Sequence, residues 1–281
     1  MSNQMYPCLW FDGKAKEAAD FYCTVFEDSS ITQTNPMVTM FQVNGKSIMG
    51  LNGGPMFTIN PAISLFVTCA SVEETNKVWD KLIDGGSAMI PIDKQPWSER
   101  YGWLKDKFGM TWQIMVSYEP GKRSICPSLL FTNEKFGKAG AAIDFYTSVF
   151  KNSSVNVKEL YPAADPANAG KVMFSEISLN GFILTLMDGP GDHKYTFSEG
   201  VSLVINCNDQ EEIDYYWNKF TKDGGKESMC GWCADKFGVW WQVVPASLGK
   251  LMSGPNSQKV IEAFMKMKKF VIADLEKAAA S

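Results

Sequence analysis

At 281 residues the chain has room for two domains of ordinary size, and 45% apolar with 21% charged residues is a globular balance rather than a disordered one. A net charge of −4 with no basic stripe among the aromatics argues against nucleic acid as a partner. No apolar run approaches the ~18 residues of a membrane span, no basic-then-apolar leader opens the chain, and the seven cysteines are scattered, so a cytoplasmic protein with reduced thiols is expected.

In chain order, Tyr6 to Phe11 reads as a strand, and Lys14 to Phe26 as a helix with Ala15, Ala18, Ala19, Tyr22 and Phe26 at helical spacing. Ile31 to Thr34, Val38 to Val43 and Ser47 to Leu51 are short strands, the last two joined by the hairpin signal Asn44-Gly45. The order β-α-β-β-β then recurs. Ile63 to Thr68 is a strand and Val72 to Ile83 a helix, followed by strands at Ala88 to Ile92, Tyr101 to Lys105 and Thr111 to Met115. Tyr118 to Ser124 is a polar, turn-rich linker, and Ser128 to Val244 repeats the whole order. In the tail, Val260, Ile261, Phe264 and Met267 share one face of a helix over Lys259 to Lys268, a cap for one domain.

The repeat is explicit. Asp20-Phe-Tyr22 returns as Asp144-Phe-Tyr146, Asn44-Gly45 as Asn180-Gly181, and Asp106-Lys-Phe-Gly-Met-Thr-Trp-Gln113 as Asp235-Lys-Phe-Gly-Val-Trp-Trp-Gln242. A repeat longer than about 50 residues reads as tandem domains rather than a solenoid. The expected organisation is a first domain over 1–119, a linker at 120–124, a second domain over 125–247 and a helical tail over 248–281.

Paired β-α-β-β-β modules with Trp103-x-x-Asp106-x-Phe108-Gly109-x-x-Trp112-Gln113 closing the last hairpin resemble the vicinal oxygen chelate superfamily of glyoxalase I, the bleomycin-resistance proteins and extradiol dioxygenases. Within it, the signature and the tail Met265-Lys-Met-Lys-Lys269 look like the PhnB-like group, often labelled 3-demethylubiquinone-9 3-methyltransferase. The resemblance implies an α+β fold: two tandem glyoxalase-like domains, each of paired modules forming a curved, cup-like sheet with helices outside.

It also implies where metal ligands would stand: on the first strand, on the strand opening the second module, and on the last strand. Matching motifs puts Pro7, Ala62 and Gln113 there in one half, and Pro127, Gly200 and Gln242 in the other. Only the glutamines have a side-chain donor, whereas zinc or nickel asks for three or four His, Cys or carboxylate groups. The one histidine, His193, lies in a turn, so no metal or other cofactor is expected.

Other motifs read as structure. Cys230-Gly-Trp-Cys233 has redox spacing, but within a strand its two thiols point to opposite faces. Asn52-Gly-Gly-Pro55 and Asp188-Gly-Pro-Gly191 open no helix, as a phosphate loop would. Nor is the alternation of parallel strands and helices present that a doubly wound S-adenosylmethionine fold needs.

Strand parity makes Thr111, Gln113 and Met115 candidates for the first cup, with Trp10, Met37, Met40 and Met49 beside them and Trp240, Gln242 and Val244 in the second. Trp97, Glu99 and Arg100 sit on a segment that reaches over the first cup, which favours the first domain as the binder. The leading expectation is a metal-independent protein that binds a small apolar or aromatic ligand, as a monomeric pseudo-dimer or a homodimer. The alternatives are an enzyme using Gln113, Glu99 or Tyr101, the methyltransferase of the group's label, a metal-dependent lyase or dioxygenase with ligand positions elsewhere, and a scaffold whose cups are filled by its own side chains.

Overall fold

The computed structural model describes residues 4–119 and 121–281. The first three residues of the expected first domain and Pro120 of the expected linker lie outside them. Four β-α-β-β-β modules follow one another. They are β1 (Met5–Phe11), α1 (Ala15–Val25), β2 (Ser29–Thr34), β3 (Val38–Val43) and β4 (Lys46–Asn52); then β5 (Ile63–Cys69), α2 (Val72–Ile83), β6 (Ser87–Gln95), β7 (Ser98–Lys105) and β8 (Thr111–Val116). The third has β9 (Ser124–Phe131), α3 (Ala139–Val149), β10 (Ser153–Leu160), β11 (Val172–Leu179) and β12 (Phe182–Asp188). The fourth has β13 (Val201–Cys207), α4 (Gln210–Thr221), β14 (Lys226–Glu227), β15 (Trp232–Ala234) and β16 (Trp240–Pro245).

Local chemistry explains the elements. The hairpin β3–β4 turns on Asn44 and Gly45 at φ 48° and 68°, the left-handed pair that a tight two-residue loop demands, and Asn180-Gly181 repeats it at 51° and 84°. Helix α2 opens with a capping box: Ser71 Oγ accepts from Glu74 N at 3.1 Å, and Glu74 Oε2 accepts from Ala70 N at 2.9 Å. Its buried side chains Thr75, Val78, Trp79 and Leu82 fall at helical spacing on the sheet-facing side. The Asn52 and Asp188 turns also serve helices: Asn52 Oδ1 accepts from Ala15 N, and Asp188 Oδ1 from Ala139 N, closing the starts of α1 and α3 from a distance.

Two eight-stranded mixed sheets result, in the orders β14-β15-β16-β13-β1-β4-β3-β2 and β10-β11-β12-β9-β5-β8-β7-β6. Each is a pair of modules, as expected, but the modules are paired across the sequence repeat. In the second sheet β5 and β9 run antiparallel at the centre, with Ser64 opposite Ser128 and Phe66 opposite Cys126. The expectation of one cup per sequence half therefore changes: the cup holding Gln113 is built from the second and third modules, and Trp10, Met40 and Met49 stand on the other sheet. Short connections explain this, since only the linker after β8 separates it from β9.

Contacts divide the chain into two compact units, Met1–Tyr6 with Ser202–Ser281, and Pro7–Val201. The sheet centred on β5 and β9 lies wholly within the latter. In that unit the face towards α2 is sealed by Leu65, Leu104, Trp112 and Ile114, and a Cβ on Gly102 would come within 2.5 Å of the Trp79 ring.

In the other unit the strand expected around Cys230 is shorter. Cys230 takes φ 60° and Gly231 φ 78°, and their N–H groups donate to Met267 O and Lys268 O of the tail. The tail forms α5 (Leu248–Met252), α6 (Ser257–Phe264) and α7 (Ile272–Ala280), so the expected helix stops at Phe264 and Met267 lies beyond it. Val260, Phe270 and Leu275 are buried, and Gln210 holds the chain by donating to Phe270 O and accepting from Ile272 N.

Candidate functional site

Opposite the helices, the concave face of the β5–β9 sheet presents alternate residues of every strand. Phe66, Tyr101, Met115 and Cys126 form a buried apolar cluster there, with Phe174 and Ile183 packed against it. Within this cluster Gln113 is only 3% exposed. Its Oε1 accepts from Tyr101 Oη at 2.9 Å, and its Nε2 donates to Ser64 Oγ at 2.7 Å and Ser128 Oγ at 3.3 Å. Burial raises the Tyr101 hydroxyl's pKa, so it stays a protonated donor. The positions that converge with Gln113 are thus Ser64 and Ser128, not Ala62 and Pro127. Pro127 pairs with Leu65 on the helix-facing side, and Ala62 contributes its carbonyl to Leu130 N.

Strand register reveals a larger feature. Lys105 pairs with Thr111, Ser64 with Ser128, Ser128 with Thr185, and Thr185 with Glu176. Because Leu65 pairs with Trp112, Ser64 stands beside Thr111. A polar row, Lys105–Thr111–Ser64–Ser128–Thr185–Glu176, therefore crosses six strands of the concave face. Its four hydroxyl residues are at most 1% exposed. Burying hydroxyls costs free energy unless they are paired. Thr111 Oγ1 has no partner, and neither does the indole Nε1 of Trp103, which faces Gln113 in register; these are the buried side-chain polar atoms left unpaired among the described residues.

The repeat supplies an internal control. At the positions matching Lys105, Thr111, Ser64, Ser128, Thr185 and Glu176 stand Ala234, Trp240, Ser202, Cys8, Met49 and Met40. Five of the six polar groups are replaced by apolar or thiol side chains, and Tyr101 is replaced by Cys230. There Gln242 Nε2 donates to Ser202 Oγ at 2.9 Å, and Trp240 lies 6.4 Å from the Trp232 ring.

A cleft of about 420 Å³ is lined by Lys94 to Glu99 and by Val116, Ser117 and Tyr118. The Trp97 ring sits edge-on to Tyr101 at 5.9 Å, and Tyr118 Oη donates to Trp97 O. Of the three residues expected to reach over the cup, Trp97 and Glu99 line this cleft. Arg100 turns to the helix side, where its Nε donates to Asn76 Oδ1 at 2.7 Å, because Arg100 and Gly102 have the parity opposite to Tyr101.

The remaining candidates do not join this site. Trp10 Nε1 donates to Gly54 O at 2.7 Å and its ring meets Phe57, Met37 is exposed beside β3, and Met49 pairs with Met40. His193 bonds to Tyr195 Oη and Pro190 O. Ser64, Ser128, Thr185 and Glu176 were missed because they look like ordinary strand residues; only cross-strand register joins them. The donor set around Gln113, one amide and three hydroxyls, does not fit a divalent metal, and no cluster of three His, Cys, Asp or Glu is found among the described residues. No helix among those residues is long and apolar enough to cross a membrane.

The signature motif itself is structural. Asp106 Oδ1 accepts from Phe108 N and Met110 N, and its Oδ2 from Trp112 Nε1 at 2.7 Å and Tyr22 Oη at 2.8 Å. Asp235 repeats three of these bonds with Phe237 N, Val239 N and Trp241 Nε1.

Comparison with known proteins fits this architecture. Maize (Zea mays) glyoxalase I matches with a TM-score of 0.60 at 12% identity, covering 89% of this chain and 96% of its own. A candidate dioxygenase from Bacillus subtilis matches with a TM-score of 0.51 at 12% identity, over 99% of this chain and 96% of its own. At such identity these show the fold alone. A candidate 3-demethylubiquinone-9 3-methyltransferase, PhnB protein, from Bacillus cereus is 35% identical over 39% of this chain and 96% of its own, with a TM-score of 0.36. No curated protein matches. The family model described as 3-demethylubiquinone-9 3-methyltransferase matches twice, over residues 3–115 and 123–244. The chain thus has the vicinal oxygen chelate fold and belongs, in two tandem copies, to the 3-demethylubiquinone-9 3-methyltransferase (PhnB-like) family.

Proposed function

We propose that the chain binds a small, largely apolar molecule, without a metal ion, in the concave face centred on Gln113. The observation that carries this reading is the asymmetry of the repeat: a buried polar row with Tyr101 and Gln113 in one sheet, and Met, Cys, Trp and Ala at the matching positions elsewhere. Packing alone gives no reason to bury four hydroxyls in a row, whereas a ligand site is typically apolar with a few fixed polar groups. The Gln113 amide is pre-positioned by three hydroxyl partners, so it can orient a ligand at small entropic cost. The cleft beside Trp97, Glu99 and Tyr118 is the entrance. Catalysis is not part of the proposal: the donors around Gln113 are neutral hydroxyls and an amide, and none is a general base near neutral pH.

The scaffold alternative is favoured by one fact, that Gln113 already has partners for both ends of its amide. Thermal-shift screening with aromatic and aliphatic carbonyl compounds, acids and alcohols separates the two. Binding predicts hits whose stabilisation is lost in Gln113→Leu and weakened in Ser128→Ala, with both variants still melting cooperatively. A scaffold predicts no hit, or hits indifferent to both substitutions.

A further inference from the structure

We propose that the molecule taken up by this face carries a carboxylate, and that Trp103 Nε1, Thr111 Oγ1 and the Lys105 ammonium receive it. The proposal rests on the reading of the concave face as a ligand site and adds the chemistry and direction of what it binds. Its basis is the pair of orphaned groups. Trp103 Nε1 and Thr111 Oγ1 are buried and unpartnered. An indole N–H can only donate, and a hydroxyl can donate at the same time. Two unpaired donors on one face call for an acceptor oxygen, and an unmet donor is costly to keep buried.

Register places them together. Trp103 faces Gln113 across β7–β8, while Thr111 is two residues before Gln113 on the same face, directly opposite Lys105. Diagonal neighbours of this kind lie within reach of one ligand group. Lys105 is exposed and Trp103 is half-buried, so this end of the row is its solvent-facing end. None of the ion pairs among the described residues uses Lys105.

Charge then selects the ligand. The row has its cation at the Lys105 end and its carboxylate, Glu176, at the other, where Asn156 Nδ2 already donates to it at 2.9 Å. An anionic head is attracted to the first end and repelled from the second. The apolar body lies over Phe66, Met115 and Cys126. The matching positions in the other copies put Ala234 for Lys105 and Trp240 for Thr111, so this head-group site has no duplicate.

The test uses the full chain labelled with ¹⁵N at tryptophan and glutamine. The Trp103 indole resonance is assigned by its loss in Trp103→Phe. Benzoate and phenylacetate are titrated against benzamide and benzyl alcohol. The proposal predicts a saturable shift of the Trp103 indole resonance with the two carboxylates. Their affinity should fall about tenfold in Thr111→Val, as for loss of one hydrogen bond to a charged group, and weaken in Lys105→Gln. Thr111→Val should melt at the same temperature as the parent or above it, since it removes an unpaired buried hydroxyl, so loss of binding cannot be put down to misfolding. If the Gln113 side-chain amide moves while the Trp103 indole does not, or if benzamide binds as well as benzoate, the head-group assignment is overturned and the ligand site stands. If neither resonance moves with any of the four compounds, both fall.

Discussion

Tyr22, on the helix of the first module, donates a 2.8 Å hydrogen bond to Asp106, on the last hairpin of the second. The same carboxylate oxygen takes the Trp112 indole N–H at 2.7 Å, and the Tyr22 and Trp112 rings meet edge-on at 5.0 Å. The two strongest sequence motifs of the family are therefore one clamp between modules. Asp106→Ala leaves a phenol, an indole and two backbone N–H groups without their acceptor in the core. It should cost about 3–5 kcal/mol, and Tyr22→Phe about 1.5 kcal/mol. Urea midpoints measure both; an unchanged midpoint in Asp106→Ala would show that the clamp carries no stability.

Much of this fold was legible in the chain because its signals are local. Asn44-Gly45 fixes a hairpin, apolar spacing marks the helix over Val72 to Ile83, and Asp106 to Gln113 repeats as Asp235 to Gln242. Gln113 was visible for the same reason, since strand parity follows from the residues themselves. What was hidden depends on pairing between distant strands. Nothing near Ser64 announces that it faces Ser128, or that Thr185 and Glu176 continue the row. The shortened strand at Cys230 was hidden too, because its cause is a tail docking some 35 residues later, where Met265 reaches the thiol.

Alkaline pH should unfold the chain. Burial pushes the thiols of Cys69 and Cys126 up to about 12, and raises the hydroxyls of Tyr22 and Tyr101. A raised folded-state pKa gives stability that is complete below the unfolded pKa and is lost as pH climbs through the window above it. Unfolded thiols and phenols ionise near pH 9–10, so melting temperature should fall progressively from there upward. A melting temperature flat to pH 11 would contradict this burial.

All seven cysteines are free: Cys23 and Cys230 are part-exposed, and Cys8, Cys69, Cys126, Cys207 and Cys233 buried. A thiol reagent at pH 8 should label two groups quickly in the native protein and seven in denaturant, with or without prior reductant. A disulfide joining Cys230 to Cys233 would reverse the structural reading of that pair.

Divalent metals should not stabilise the protein. A resident ion at a hundredfold excess over its dissociation constant adds about 2.7 kcal/mol, several degrees in melting temperature. Zn²⁺, Ni²⁺, Fe²⁺ and Mn²⁺ should each do no more than a matched salt. A metal-specific rise abolished in Gln113→Ala would return the metal-dependent reading to first place.

A ligand site on the concave face holding Gln113 is open to direct observation. The most direct measurement is a crystal structure of the full chain soaked with a panel of small aromatic and aliphatic acids, ketones and alcohols. Ligand density is expected over Phe66, Met115 and Cys126, within hydrogen-bonding distance of the polar row or of Gln113. Density confined to the face carrying Trp10 and Met49, or to the outer surface, would contradict it.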